Sequence, residues 1–350
     1  MTRTAPLTVG VLFPVDWIGE QGLAGLEVLR SVDPLVEVLV EPYLESEDLR
    51  TARSRPGAPD LRDQAPALTE AQRDVLARSE VLLALDLPYD VAELAPRLRW
   101  VQGVGAGTGQ LHTAGLAEAH ITLTSNAGAN SVGIAEFVMA RILEWAKHLR
   151  AIDTSQSRRA WEPHYGLQLS GATIGLIGLG AINTEVARRA RAFGMSVIAS
   201  RRDVSAGAED VDRLVPPGRL EELLGAADVV VAAVPETVET RGLLDEAALA
   251  AMRPGAFLVN VGRGSVLDEA ALVQALEEGR LGGAALDVVA HEPLPPDHPL
   301  WTTPGVAVSA HCASVPSALF TNLFRSFAAN LRRYLDDEPL LHRVDIARGY

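Results

Sequence analysis

Short apolar runs rich in β-branched residues alternate with amphipathic stretches along most of the chain. In the first third, Leu7–Phe13, Val36–Val40, Val81–Leu85, Leu98–Val101 and Ile121–Thr124 have strand length and few polar positions, which predicts buried strands. Between them, Leu23–Leu29 and Ala71–Arg78 read as helices, the second behind the N-capping Thr69, and Val91–Ala95 as a short helix before Pro96. Residues 45–66 are polar, charged and proline-bearing, so a loop or exposed excursion is expected there. Asn130 and Ser131 are then expected to cap a long apolar helix, Val132–His148. The alternation resumes with strands predicted at Thr173–Ile177, Met195–Ala199, Val229–Val234, Ala256–Val261, Ala284–Val289 and Val306–Ser309. Helices are predicted at Ile182–Phe193, Glu221–Leu224, Asp245–Met252, Asp268–Glu278 and Ser317–Leu335. Strands separated by helices imply parallel sheets covered on both faces. Because the pattern occurs on either side of the long helix, two doubly wound α/β domains are expected.

The most informative stretch runs from Thr173 to Arg202. A short apolar strand leads into Gly178-Leu179-Gly180, where the backbone can turn sharply and approach a ligand closely. Ile182, Val186, Ala190 and Phe193 then recur at helical spacing until Gly194, and a second strand follows. Strand, glycine turn, helix and strand within some thirty residues make a dinucleotide-binding unit, with the helix N-terminus facing a pyrophosphate. The third small residue of that fingerprint is replaced by Asn183, which must either push the helix outward or point aside. At the end of the second strand, Ser200-Arg201-Arg202 offers two cations and no carboxylate. That pattern suits the 2′-phosphate of NADP better than the ribose hydroxyl of NAD.

Composition narrows the classes. The chain has 350 residues, enough for two domains, and 48% hydrophobic residues, enough for a sizeable core. A formal net charge of −14 argues against nucleic acid as the main partner. The one cysteine, Cys312, excludes an intramolecular disulfide framework and fits a reducing compartment. Neither a signal-peptide core nor an apolar run of membrane-spanning length is seen, so a soluble cytoplasmic protein is expected. His291, His298 and His311 lack ligand spacing, and no metal is expected.

In doubly wound folds, ligands sit outside the carboxyl ends of the strands. The polar residues following the later strands are Arg263 between Gly262 and Gly264, then His291 and Glu292, then His311. An arginine, a carboxylate and a histidine at three strand ends are candidates to converge. Spacing alone does not show that they meet, and each read singly also fits a surface or loop residue.

These motifs resemble those of the D-isomer-specific 2-hydroxyacid dehydrogenases. The resemblance rests on LSGATIGLIGLGAI, VVVAAVPETVETRGLL, FLVNVGRGSVLDEAALVQALEEGRLGGAALDV and EPLPPDHPLW, supported by WVQGVGAG, SNAGANSVGIAEFV and SAHCAS. It covers the chain from about residue 98 onward, and WVQGVGAG with the two arginines points toward the glyoxylate/hydroxypyruvate reductase branch. What it implies is an NAD(P)H-dependent reduction of a small 2-keto acid. Arg263 would grip the substrate carboxylate, His311 would exchange a proton with the keto oxygen, and Glu292 would orient and charge that histidine. Gly178, Leu179, Gly180, Ala181, Ile182, Ser200, Arg201, Arg202, Val234, Pro235, Thr240, Val261, Gly262 and Asp287 would line the cofactor, with Asp287 near the nicotinamide carboxamide. Gly105, Ala106 and Gly107 would offer backbone N–H groups to the substrate.

The implied architecture is a flavodoxin-like substrate domain (1–126 and 315–350) and a Rossmann cofactor domain (127–314), with an active-site cleft between them. A homodimer built on the cofactor domain is also implied. Three positions depart from the family pattern: Gly109 where aspartate is usual, Ala310 where proline precedes the histidine, and Asn183. Two rivals stay open at this level. One is oxidation of another small anion, such as formate or phosphite. The other is a nucleotide-sensing binding protein of the corepressor type on the same fold.

Overall fold

The computed structural model describes residues 5–348 apart from 56, 206 and 347. The chain divides into two compact units, Met1–Ala129 with Pro316–Tyr350, and Asn130–Val315. The first unit begins with β1 (Leu7–Val11), α1 (Gly19–Arg30), β2 (Val36–Val40), α2 (Glu47–Ser54) and α3 (Glu70–Arg78). It continues with β3 (Val81–Ala84), α4 (Val91–Leu94), β4 (Trp100–Gly103), α5 (Gly109–His112) and β5 (Thr122–Thr124). The second unit opens with α6 (Ser131–Ala146), α7 (Leu149–Ser157), β6 (Thr173–Ile177), α8 (Ala181–Ala192), β7 (Ser196–Ser200) and β8 (Arg213–Val215). There follow α9 (Leu220–Leu224), β9 (Val229–Ala232), α10 (Glu246–Ala251), β10 (Phe257–Asn260), α11 (Glu269–Glu277), β11 (Gly283–Leu286) and β12 (Val306–Val308). Helix α12 (Pro316–Leu335) returns the chain to the first unit.

The first sheet is parallel in the order β2-β1-β3-β4-β5. Because both faces are covered, its central strands β1, β3 and β4 are buried at every position rather than at alternate ones. Leu26 and Leu29 of α1, with Leu323, Phe324 and Phe327 of α12, pack over Leu7, Val9 and Val11. Gly25 lets α1 lie directly on the Phe324 ring, where any Cβ would clash. Val75, Leu76 and Leu111 cover the other face against Leu82 and Val101.

The expected loop at 45–66 is corrected by the structure, which folds part of it as α2. The Ser46 hydroxyl accepts from the Leu49 N–H at 3.2 Å, and Glu47 and Asp48 occupy the positive first turn. Leu49 and Arg53, four apart on one face, are both buried, a stripe too narrow to register as amphipathic periodicity. Arg53 is 1% exposed and acts as a hub. It pairs with buried Glu45, donates to Thr113 Oγ1 at 2.7 Å and the Leu87 carbonyl at 2.8 Å, and stacks 4.1 Å from the Tyr89 ring centroid. Charges that read as solvated thus tie α2 to the segments following β3 and α5. Gly109 belongs to the same contact, since a Cβ there would lie 2.6 Å from the Ser54 carbonyl oxygen. That leaves no room for an aspartate.

The second sheet is parallel in the order β12-β11-β10-β9-β6-β7-β8. Ala135, Val138, Met139 and Ile142 of α6, with Val186, Ala187 and Ala190 of α8, cover one face, and α9, α10 and α11 the other. Asn130 does not cap α6 through its side chain, which instead accepts from the Val315 N–H at 3.1 Å. The strand expected at Leu98–Val101 starts later, because the Leu98 N–H closes a turn onto the Ala95 carbonyl and Trp100 is the residue in register with Val81. Helix α7 and edge strand β8 went unforeseen, one too polar and the other too short for a periodic signal. No described helix is long and apolar enough to cross a membrane.

Candidate active site

The carboxyl ends of the parallel strands in the second unit lie along one edge, and the turns that leave them carry the candidate residues. Strand β10 exits through Val261-Gly262-Arg263. Asn260 shapes this exit: its Oδ1 accepts from the Gly262 N–H and its Nδ2 donates to the Arg263 carbonyl, both at 3.0 Å. A Cβ on Gly262 would lie 2.8 Å from the Val234 carbonyl oxygen, and one on Gly264 would overlap the Val289 backbone. Both glycines are therefore needed for close approach, and they seat Arg263 between the turns leaving β9 and β11.

Strand β11 exits through Asp287, and β12 through Ser309-Ala310-His311. Asp287 is buried, and its carboxylate accepts from Ser309 Oγ at 2.6 Å and from the Cys312 and Ala313 N–H groups at 3.0 Å. Its carbonyl takes the His311 N–H at 2.9 Å. These bonds hold His311 at φ 49°, a left-handed conformation uncommon for a residue with a side chain. No sequence signal pointed to this role for Asp287, or to that of Asn260.

His311 Nδ1 then meets Glu292 Oε2 at 2.8 Å, while Glu292 Oε1 accepts from the Val289 N–H at 3.2 Å. The Glu292 hydrogen bond, helped by its charge, raises the His311 pKa above the ordinary 6.5 against the opposing effect of burial. For Glu292, burial pushes upward, but the His311 hydrogen bond and charge together outweigh it and the carboxyl titrates below its usual range. Burial is the main influence on partly buried Arg263 and lowers its pKa, opposed by the negative charges of Glu292 and Glu236. Arg263, Glu292 and His311 thus form one electrostatic set. His291 has no part in it.

The glycine turn after β6 is tightly built on one side and open on the other. Gly178 has φ 80° and sits where a Cβ would be 2.5 Å from the Val234 side chain, while the space beside Gly180 is open. Asn183 is fully buried without displacing α8. Its Nδ2 reaches back to the Ile177 and Gly178 carbonyls at 3.1 and 2.6 Å, so the side chain folds beneath the turn and pins it. Leu179, Ala181 and Ile182 continue the turn into the first residues of α8, whose leading N–H groups have no intrahelical partner. Ser200 is buried at the end of β7, Arg201 donates to the Asp203 carbonyl, and Arg202 pairs with Glu239 at 2.7 Å. After β9, Val234 and Pro235 enter a loop closed by Thr240, whose Oγ1 donates to the Pro235 carbonyl at 2.6 Å.

In the first unit, Gly105-Ala106-Gly107 follows β4, with Ala106 and Gly107 exposed. Asn126 anchors the start of this turn through Val104 and Gly105 at 3.1 and 2.8 Å.

A family model described as "D-isomer specific 2-hydroxyacid dehydrogenase, NAD binding domain" matches residues 139–313. The chain is 32% identical over 293 residues to the glyoxylate reductase of Thermofilum pendens, covering 80% of this chain and 85% of that one. Among solved structures it resembles the NADPH-dependent glyoxylate/hydroxypyruvate reductase of Sinorhizobium meliloti in complex with NADP and sulfate. The TM-score is 0.75 at 26% identity, with 99% of this chain and 100% of that one covered. A D-isomer-specific 2-hydroxyacid dehydrogenase of Xanthobacter autotrophicus, in complex with NADPH and MES, is similar at TM-score 0.76 and 26% identity, with the same coverage.

Proposed function

The chain belongs to the D-isomer-specific 2-hydroxyacid dehydrogenase family, and from that premise we propose that it reduces a small 2-keto acid to the D-2-hydroxy acid. Glyoxylate and hydroxypyruvate are the leading substrates, NADPH the favoured cofactor and NADH the alternative. The observation that carries this reading is the His311–Glu292 pair, 2.8 Å apart, on the strand-end edge that also bears Arg263 and the glycine turn.

A bound nicotinamide dinucleotide supplies the hydride. Gly178–Ile182 with the α8 N-terminus would hold its pyrophosphate, Arg201 and Arg202 its adenosine phosphate, and Val234, Pro235, Thr240, Val261 and Gly262 the path between. Arg263 binds the substrate carboxylate with its planar fork and polarises the keto oxygen, a geometry lysine does not reproduce. His311 Nε2 would give the keto oxygen its proton as the substrate is reduced, and take one back in the reverse direction. Nδ1 is held by Glu292, so Nε2 is the nitrogen left to exchange protons. Asp287 keeps the His311 turn in place.

The pH dependence follows from the direction of the His311 shift. Reduction needs the imidazolium, so kcat/KM for the keto acid is full at low pH and falls as pH rises through a pKa above 6.5. Oxidation of the hydroxy acid runs the opposite way. In Glu292→Gln the main cause of the elevation is gone, and the descending limb moves to lower pH. An unshifted limb in the kcat/KM profile contradicts the assignment of Glu292.

The reading extends to a homodimer. Helix α6 spends its apolar face on its own unit, whereas Leu149 and Ile152 of α7 and, beyond it, Trp161 (103% exposed) and Tyr165 (88%) present apolar surface to solvent. A second copy covering that arm gives a light-scattering mass twice 37.3 kDa, and a monomeric mass contradicts it. The low cysteine content suits the cytoplasm, which cell fractionation checks.

A further inference from the structure

Strand β6 lies between β7 and β9, and the glycine turn leaves its carboxyl end. Arg202, just beyond β7, and Glu239, in the turn after β9, are ion-paired at 2.7 Å. Those strands are two apart, roughly 10 Å, so the pair spans the end of β6 on the side where the adenosine half of a dinucleotide must lie. The loop holding Glu239 is not loose: Thr240 Oγ1 bonds the Pro235 carbonyl at 2.6 Å and accepts from the Thr237 N–H at 2.8 Å. The neighbouring acids are engaged elsewhere. Glu236 pairs with Arg241, and Asp203 accepts from the Ser205 N–H and Oγ at 2.9 and 2.5 Å. Glu239 Oε2 accepts from Arg202 Nη2, so a carboxylate engages one edge of this guanidinium.

We propose that Glu239 is a specificity-tuning residue: an internal anion that competes with the cofactor's 2′-phosphate for Arg202. The inference rests on the reading that Arg202 faces that phosphate. A guanidinium engaged by a carboxylate must exchange it for the phosphate, so part of the gain from the phosphate contact is offset by the pair that breaks. NADH brings no competing anion and leaves the pair intact. Glu239 thus narrows the preference for NADPH without touching the reacting end of the cofactor.

The test is isothermal titration of NADPH and NADH into the wild-type protein, Glu239→Gln and Arg202→Ala, with thermal melts to confirm folding. Both side chains are largely exposed, so the variants are expected to fold. Exposed pairs are worth little individually, and Glu239→Gln is expected to tighten NADPH roughly two- to fivefold and leave NADH unchanged. Arg202→Ala is expected to weaken NADPH and not NADH. If Arg202→Ala lowers the NADPH preference while Glu239→Gln changes neither Kd, or tightens both equally, the competition is wrong and the phosphate site stands. Weaker NADH binding in Glu239→Gln would instead make Glu239 a ribose acceptor, which also overturns it. If Arg202→Ala leaves the preference untouched, the phosphate reading itself fails, and the competition with it.

Discussion

Replacing Arg263 with alanine is expected to lower kcat/KM for the keto acid by roughly 10²–10³-fold while leaving the fold and NADPH affinity near normal. The magnitude follows from truncating one member of a desolvated, charge-assisted contact, about 2–5 kcal/mol. The selectivity follows from how the residue is built in. Its exit turn is held by Asn260 through backbone groups of Gly262 and Arg263, which alanine keeps, and its side chain makes a local bond to the Gly262 carbonyl at 2.7 Å. Lysine at this position retains the charge without the fork and is expected to recover only part of the loss. Steady-state kinetics paired with a thermal melt and an NADPH titration checks all three parts. Near-normal turnover in the alanine variant would remove Arg263 from the site.

The second large effect is at His311. His311→Asn is expected to reduce kcat by roughly 10²–10⁴-fold, the range for loss of a positioned general acid. KM should change little, since substrate affinity is assigned to Arg263. Asparagine is the informative substitution because it tolerates the left-handed backbone at φ 49° better than most residues, and the Asp287 bonds to the segment are to backbone groups and Ser309. The pH limb of reduction should also vanish. A variant that keeps both its rate and its pH profile would assign the proton transfer elsewhere.

Much of this site was readable before the structure, and what was missed has physical causes. Strand and helix alternation follows from burial on both faces, so β6, α8, β9 and their neighbours announced themselves as apolar runs and periodic stretches. Helix α2 did not, because its buried face consists of a leucine and an arginine, and an arginine neutralised by Glu45 looks in sequence like a solvated one. Arg263, Glu292 and His311 were legible as polar residues after strands, but not as a group. What brings them into one field is a close approach of backbones, Gly264 against Val289 and Gly262 against Val234, and that depends on register between turns. Asn183 illustrates the reverse. The sequence flagged a side chain where a small residue belongs, and the structure resolves it by turning the amide onto two carbonyls at the end of β6.

The same physics explains why Asp287 carried no sequence signal for its positioning role. A buried aspartate after a strand is ambiguous until its acceptors are seen to be occupied, here by Ser309, Cys312 and Ala313. Its carboxylate holds the turn that carries His311, a positioning role that no single residue type signals.

The measurement that bears most directly on the proposed activity is oxidation of NADPH and NADH, followed by nicotinamide absorbance, with a panel of 2-keto acids and the Arg263→Ala variant in parallel. The panel is glyoxylate, hydroxypyruvate, pyruvate and one bulky aromatic keto acid, with chiral analysis of the product. Turnover of a small keto acid to the D-hydroxy acid is expected, faster with NADPH than with NADH and lost in the variant. Tight NADPH binding with no oxidation on any keto acid would contradict it and leave a nucleotide-sensing protein in its place.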